Sequence, residues 1–256
     1  MLLKLLKYDF RAMWKQFSLI WGAALVLALI NRFTLYGRIH LVGENASNMI
    51  VLTFGSVLAA MFVIAIMFVV RRFSKGLLGD EGYLMHTLPV HPWQLVLSKL
   101  ICGVVAWVGC GVVAVLSPAF MLPWNLPDLL QISLWSDIFR GIMKHPDMLI
   151  LMAEFCLVIL SVIVLLIAVI YLALSIGHMV SRHRNLVGVA AFIGLYILLV
   201  NLYDRVFSYK VVRPLLDMTT ANAYGSMLTA VAAMLIPAAA FLAVTCWILE
   251  HKLNLE

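Results

Sequence analysis

Six long apolar stretches limit the folds open to this chain more than any other feature. A helix needs about 20 residues to cross the hydrocarbon core of a bilayer, and each stretch reaches or approaches that length. Segments that cross a bilayer fold as helices, because their backbone N–H and C=O groups find no water there. The sequence therefore predicts an all-α integral membrane protein with six transmembrane helices in a single domain, residues 1–256. The predicted spans are residues 17–36, 49–70, 95–121, 149–176, 186–203 and 226–249.

Glycines and prolines within these spans predict local features. Gly103, Gly109 and Gly111 in the third span are expected to allow close helix approach. Pro118 is expected to kink or end that span, and Pro237 to interrupt the sixth.

Composition agrees with membrane insertion. Only 12% of the residues are charged, against about 25% in soluble domains. The mean hydropathy is +1.06, which leaves little sequence for a separate soluble domain. All four cysteines lie within apolar stretches, and their spacing predicts neither a disulfide nor a zinc site.

The first 16 residues have the pattern of a basic amphipathic helix. Apolar residues recur at spacings of three and four, and basic residues recur likewise on a neighbouring face. This pattern favours a helix that lies in the membrane interface with its basic side chains near anionic headgroups. Plain electrostatic anchoring of the first span is a compatible alternative. The basic residues are Lys4, Lys7, Arg11 and Lys15.

A polar island, residues 71–94, separates the second and third spans. Asp80 suits the N-cap of a short helix, Glu81 suits the positive end of its dipole, and Pro89 is expected to end it. A short structured element is therefore predicted here, with an ordinary solvated loop as the alternative. Gly76 and its neighbouring glycines are candidate hinges.

The distribution of charge predicts the orientation. Six spans place both termini on one side of the membrane. With the termini inside, the terminal and inner segments carry 11 of the 18 Lys and Arg residues. Cytoplasmic segments carry the excess of these residues, so both termini and the polar island are predicted to be cytoplasmic. The net charge of +6 then lies on that face, where membrane lipid rather than nucleic acid is the expected partner.

Sequence patterns for catalysis are missing. The chain has no Gly-rich phosphate loop ending in Gly-Lys-Ser/Thr, no His-Glu-x-x-His and no Gly-x-Ser-x-Gly. We therefore expect no enzyme activity and no cofactor in this chain. Glu154, one turn inside the fourth span, is the only candidate for an ionisable residue with a role deep in the membrane, and a solvated position near the outer surface is expected for it.

The polar island carries the most specific pattern. An acid (Asp80), a short helix, Leu88-Pro89 and a downstream Ser98-Lys99 follow one another into the third span. Together with the basic N-terminal helix and the six spans, this order resembles the membrane-spanning permease subunit of a bacterial type-two ATP-binding-cassette (ABC) exporter. The resemblance covers the whole chain in topology and is sharp over Asp80–Lys99.

The resemblance implies a cytoplasmic coupling helix at Asp80–Leu88 that docks into a groove of a separate ATP-binding subunit. ATP and Mg²⁺ would be bound by that partner, which is present in two copies, and the N-terminal helix would brace it. A second copy of this chain or a related permease would complete the translocation path, in a bacterial plasma (inner) membrane. The residues implied in coupling are Asp80, Glu81, Tyr83, Leu84, Leu88 and Pro89.

A translocation path with few charges and many methionines and aromatic residues favours an amphipathic or apolar substrate: a peptide antibiotic, a drug or a lipid. The sequence identifies no residue that contacts it. Three alternatives stay open. A secondary carrier would need a titratable residue at mid-membrane, and a membrane enzyme would need a catalytic pair inside the spans. A non-transporting immunity or scaffold protein would act without ATP hydrolysis.

Overall fold

The computed structural model describes residues 2–36, 44–78, 92–121, 146–180, 184–207 and 223–251. Over these ranges the chain is helical, apart from a turn after the fourth helix, and contains no strand. One π-helical turn, Ser74–Leu78, continues the second helix. The α-helices are α1 (Leu2–Tyr36), α2 (Glu44–Phe73), α3 (Pro92–Met121), α4 (Pro146–His178), α5 (Arg184–Phe207) and α6 (Ala223–His251).

Each of the six α-helices contains a segment long and apolar enough to cross a membrane, of 19 to 30 residues. The prediction of an all-α, multi-pass membrane protein is thereby confirmed. Most helix ends extend two to five residues beyond the predicted spans, because helical hydrogen bonding does not stop where the apolar residues stop. In α2 the extension includes Arg71 and Arg72, whose charges complement the negative end of the helix dipole.

Helix α1 covers a stretch for which two separate elements were predicted. We predicted an interfacial helix over 1–16 and a span that begins at residue 17, but the helix is continuous from Leu2 to Tyr36. No proline lies in this stretch and its first glycine is Gly22, so nothing in the sequence breaks the helix near residue 16. Met13 and Phe17 are 0% and 1% exposed, which means that protein rather than lipid covers this part of the apolar face.

The basic face of α1 lies at the surface, with exposed side chains at Lys7, Arg11 and Lys15. The side chain of Lys4 lies outside the described residues. The interfacial orientation of this segment stays a prediction.

The chain divides into two compact units, and each is described by itself through its described residues. The first unit comprises Met1–Leu6, Phe68–Val104 and Asp147–Glu256, and the second comprises Lys7–Met67 and Val105–Pro146.

The core of the first unit includes a cluster that joins α4, α5 and α6. Ala168 of α4 and Ala238 of α6 are 0% and 1% exposed, and Leu199 of α5 packs with them. About half of the apolar span of α4 is buried, against 6% of that of α5. Helix α5 therefore presents a largely apolar exposed surface, as a lipid-facing helix does.

Two prolines lie inside helices rather than at their ends. We predicted that Pro237 interrupts the sixth span and that Pro118 kinks or ends the third. Helix α6 continues through Pro237, and α3 continues past Pro118 to Met121. Prolines are tolerated in membrane helices where neighbouring groups satisfy the carbonyls that they leave without a donor.

The turn between α4 and α5 brings two glycines together. Both Gly177 and Gly188 are buried. A Cβ built on Gly177 would lie 2.8 Å from the Cα of Gly188 and 2.8 Å from the carbonyl oxygen of Arg184. These are backbone atoms, which cannot rotate away as a side chain would. Close approach at this turn therefore requires glycine at position 177.

In the second unit, an aromatic ring occupies the space beside a glycine of α3. A Cβ on Gly109 would overlap the ring of Trp21 from α1, whereas Gly111 has open space beside it. The indole Nε1–H of Trp21 donates a hydrogen bond to Cys110 Sγ at 3.4 Å. Glycines in the third span were predicted to allow close helix approach, and this holds for Gly109 but not for Gly111.

We expect Gly177→Ala to destabilise the protein by about 1–3 kcal/mol, because the backbone of the α4–α5 turn must move. The matched control is Gly194→Ala in α5, where nothing lies within 4 Å of the added methyl. This control should be neutral or stabilising, because alanine favours the helix. Thermal unfolding in detergent measures both, and equal melting temperatures would contradict the tight turn.

Candidate functional site

The six residues implied in coupling fall between α2 and α3, in a stretch that is outside the described residues. Their contacts therefore stay predictions. The structure does describe both ends of the island that carries them, Phe73–Leu78 and Pro92–Lys99. We call these two segments together the island base. Both belong to the first unit.

The upstream half of the island base is a π-helical turn. Helix α2 ends at Phe73, and Ser74–Leu78 follow in the wider π geometry. Such turns are rare and often mark functional sites. Phe73 and Leu77 are both 0% exposed, whereas Lys75 between them is exposed. The entry to the island is therefore anchored in the protein rather than solvated on all sides.

Phe73 is anchored by an aromatic stack on Tyr171 of α4. The ring centroids lie 4.1 Å apart with an interplanar angle of 14°. Tyr171 is 0% exposed and heads the largest fully buried side chains of the described residues. An aromatic pair contributes about 0.5–1.5 kcal/mol beyond its burial. Any movement of the upstream end is thus resisted by α4.

Gly103 of α3 lets three helices meet just inside the island base. A Cβ at this position would lie 3.2 Å from Ile167 Cδ1 of α4 and 3.2 Å from Val69 Cγ2 of α2. Both distances are tighter than ordinary van der Waals contact. The missing side chain therefore brings α2, α3 and α4 into direct contact beside the Phe73–Tyr171 stack.

The downstream half of the island base begins at Pro92, the first residue of α3. Proline suits that position because the first helical N–H has no intrahelical partner. One turn further, Leu95 is 1% exposed and Ser98 is 0% exposed. The Ser98 hydroxyl donates to the Leu95 carbonyl at 2.9 Å, which satisfies it within the helix.

Lys99 links the two halves. Its side chain is only 4% exposed, although a lysine is rarely buried unless it is paired. A Cβ built on Gly76 would lie 3.5 Å from Lys99 Cε and 3.7 Å from its Nζ. The end of the Lys99 side chain therefore lies against the π-helical turn. Lys99 of the Ser98-Lys99 motif thus connects the α3 half of the island base to its π-helical half.

Sequence reasoning missed the contribution of α4. It singled out Ser98-Lys99 and predicted the glycine of the third span at position 103 as a packing residue, but it did not assign a role to Phe73 or Tyr171. The available signal was a phenol within the last third of the most apolar of the candidate spans, which has a mean hydropathy of 3.3.

The island base is a structural connection between α2, α3 and α4. Its residues are mainly apolar, with one buried lysine and one satisfied serine. Across the part of the chain that the structure describes, no group of three or more His, Cys, Asp or Glu side chains is arranged to bind a metal ion. What the geometry provides is a packed connection: both halves of the island base contain buried residues in one unit, and the upstream half is stacked on α4.

Glu154 is a second candidate, elsewhere in α4. It is half-buried, and its Oε2 atom is buried without a hydrogen-bond partner among the described residues. We expected a solvated carboxylate near the outer surface. A buried carboxylate oxygen inside a membrane helix is costly and is often functional.

We expect Tyr171→Ala to destabilise the protein by about 3–5 kcal/mol, because it removes a fully buried ring. Tyr171→Phe retains the stack on Phe73 and should cost about 1 kcal/mol or less. Phe155→Ala in the same helix is the control, since Phe155 is 57% exposed and should change stability by less than about 0.5 kcal/mol. Thermal unfolding in detergent would contradict the stack if Tyr171→Ala and Phe155→Ala gave the same melting temperature.

Comparison of this chain with protein-family models, with curated proteins and with solved structures gave no match in any of the three.

Proposed function

We propose that this chain is the permease subunit of an ABC exporter, energised by a separate ATP-binding subunit. One observation carries the proposal. Both halves of the island base contain buried residues that pack within one unit, through Phe73 on Tyr171 and Lys99 beside Gly76. A loop that only connects two spans needs no such anchoring. An element that is displaced by a partner subunit does need it, because the displacement must be transmitted to the membrane helices.

In this proposal the segment around Asp80–Leu88 docks on the ATP-binding subunit. Glu81 lies near its groove, with Tyr83 and Leu84 as apolar contacts. ATP binding closes the paired subunits and displaces the island. Because the upstream half of the island base packs against Tyr171 of α4 and against Lys99 of α3, that displacement tilts these helices instead of being absorbed in a flexible hinge.

The exposed basic face of α1 supports a role at the membrane surface. Lys7, Arg11 and Lys15 are exposed along one side of the helix, beside Trp14, which is 53% exposed. Basic residues next to an exposed indole suit an interface with anionic lipid. This segment would brace the ATP-binding subunit from the side, with both termini on the cytoplasmic face of a bacterial plasma membrane.

The translocation path is proposed to form between two permease subunits, identical or related. Large apolar side chains are exposed along α5 and α6, including Leu198 at 54% and Ile236 at 70%. Surfaces of this kind suit lipid or another apolar helix. An amphipathic or apolar substrate, such as a peptide antibiotic, a drug or a lipid, fits a path with so few charges.

We expect the chain to co-purify with the ATP-binding protein encoded beside it, and Glu81→Lys/Leu84→Asp to reduce that association at least tenfold. The reason is that the variant reverses one charge and places another in the apolar contact. The matched control, Glu250→Lys/Leu253→Asp, makes the same changes outside the island. Pull-down from detergent, with ATP hydrolysis in the same preparations, measures both effects.

Equal association of the island variant and its control would contradict docking through the island. Purification of the wild-type chain without any ATP-binding subunit would contradict the exporter itself. In the latter case a non-transporting immunity or scaffold protein is distinguished by protection of cells that persists when ATP hydrolysis is blocked.

A secondary carrier is the second candidate, and the buried Oε2 of Glu154 favours it. A carrier would use this carboxylate to bind a proton or a cation during transport. Under the exporter proposal, Glu154→Gln should change substrate efflux less than twofold, since no coupling step uses the carboxylate. Efflux from cells with and without a proton gradient checks this. Loss of gradient-driven efflux in Glu154→Gln, with the island variant unaffected, would select the carrier.

A further inference from the structure

Helix α6 contains a backbone carbonyl that its own helix cannot satisfy. Pro237 has no N–H, so the carbonyl four residues earlier, that of Ala233, loses its helical donor. The proline ring also crowds that carbonyl and pushes it away from the helix axis. Within a membrane span an unpaired carbonyl is costly, because water is not there to replace the missing donor.

Tyr203 of α5 supplies the donor. Its phenol O–H donates to the carbonyl oxygen of Ala233 at 3.2 Å. Both helices belong to the first unit, and the ring of Tyr203 packs against the core cluster that contains Ala238. A side chain thirty residues earlier in the sequence thus bonds the one carbonyl that Pro237 deprives of its donor.

Helix α4 holds the same turn of α6 from another direction. The hydroxyl of Ser161, which donates to the Val158 carbonyl oxygen at 2.7 Å, contacts Met234 Sδ at 3.4 Å, and Ala238 is 1% exposed. On the opposite side of the turn, Ile236 is 70% exposed. The proline turn is therefore held on one face and open on the other, an arrangement that restrains bending in a single direction.

We propose that Tyr203 is a latch for α6: its hydrogen bond to Ala233 holds the helix against α5 at Pro237, and release of the bond lets α6 bend there. The latch is a property of the helices and does not depend on the exporter proposal. It assigns Tyr203 and Pro237 to one device, in which the proline creates a weak point and the phenol controls it.

The chain offers the controls that separate this latch from general packing. Tyr196→Phe removes a phenol O–H from the same helix at a side chain that is 58% exposed. Pro237→Ala restores an N–H at position 237, so that the Ala233 carbonyl regains a helical partner. Tyr203→Phe should therefore matter in the wild-type background and matter little when Pro237→Ala is present.

The test measures the distance across the proline. Spin labels are attached after Leu228→Cys and Val244→Cys, since these side chains are 62% and 45% exposed and lie about 24 Å apart along a straight helix. The native cysteines are replaced by serine in every variant. Distance distributions are recorded in lipid nanodiscs for the parent chain, Tyr203→Phe, Tyr196→Phe and Tyr203→Phe/Pro237→Ala.

We expect Tyr203→Phe to broaden or shorten the distribution, and the parent chain, Tyr196→Phe and the Pro237→Ala double variant to stay narrow. Unlabelled protein provides a second readout: Tyr203→Phe should lower the melting temperature by about 2–4 °C, and by less than half of that in the Pro237→Ala background. Identical results for Tyr203→Phe and Tyr196→Phe would overturn the latch. So would a broadening that persists in the double variant, because the effect would then not involve the Ala233 carbonyl.

Discussion

A peptide group in the hydrocarbon region of a bilayer must find its hydrogen-bond partner within the protein, because no water is there to supply one. This constraint makes the six apolar stretches of the chain helical and keeps α3 and α6 intact around their prolines. For the same reason, the hydrogen bond from Tyr203 of α5 to Ala233 of α6 matters more than it would in water, where a water molecule could replace the phenol as donor. Tyr203 does not merely add a contact: it completes the backbone of a neighbouring helix.

Packing between the helices depends on glycines, which have no side chain and therefore allow neighbouring elements to approach closely. Lipid tails are as apolar as leucine, so membrane helices associate through close contact and not through the hydrophobic effect. Gly103, Gly109 and Gly177 provide such contact, each against a different kind of surface: branched aliphatic side chains, an indole ring and the backbone of another glycine. Gly103 lies next to the island base, whose own anchor on α4 is the stack of Phe73 on Tyr171.

The number and positions of the helices could be predicted from apolar length, because that length is set by the bilayer. The detailed outcomes at Pro237 and Gly111 could not. A proline disfavours a helix locally, but the donor that compensates it lies thirty residues away. Glycine content does not reveal which side of a helix faces a partner, so Gly109 and Gly111 looked equivalent although only Gly109 has a ring beside it.

In the candidate site, likewise, the sequence pattern identifies some residues, whereas others are identified only by their contacts in the structure. Ser98 and Lys99 stood out in the sequence as part of the pattern that resembles an ABC permease. Their burial, and the contact of Lys99 with the turn at Gly76, depend on how α2 and α3 approach each other. Phe73 is an apolar residue within the polar island and Tyr171 lies in an apolar stretch, and only their stacking gives them a role. The coupling role of Glu81 stays a prediction from the sequence resemblance.

The continuity of α1 has a mechanical consequence. Its 35 residues make a rod of about 52 Å, whereas the hydrocarbon core is about 30 Å thick. Roughly 20 Å of rigid helix is therefore available beyond the span. A continuous helix transmits rotation about its axis as well as displacement along it. A protein that gripped the basic segment of α1 and turned it would rotate the first span about its own axis, and so change which of its side chains face inward.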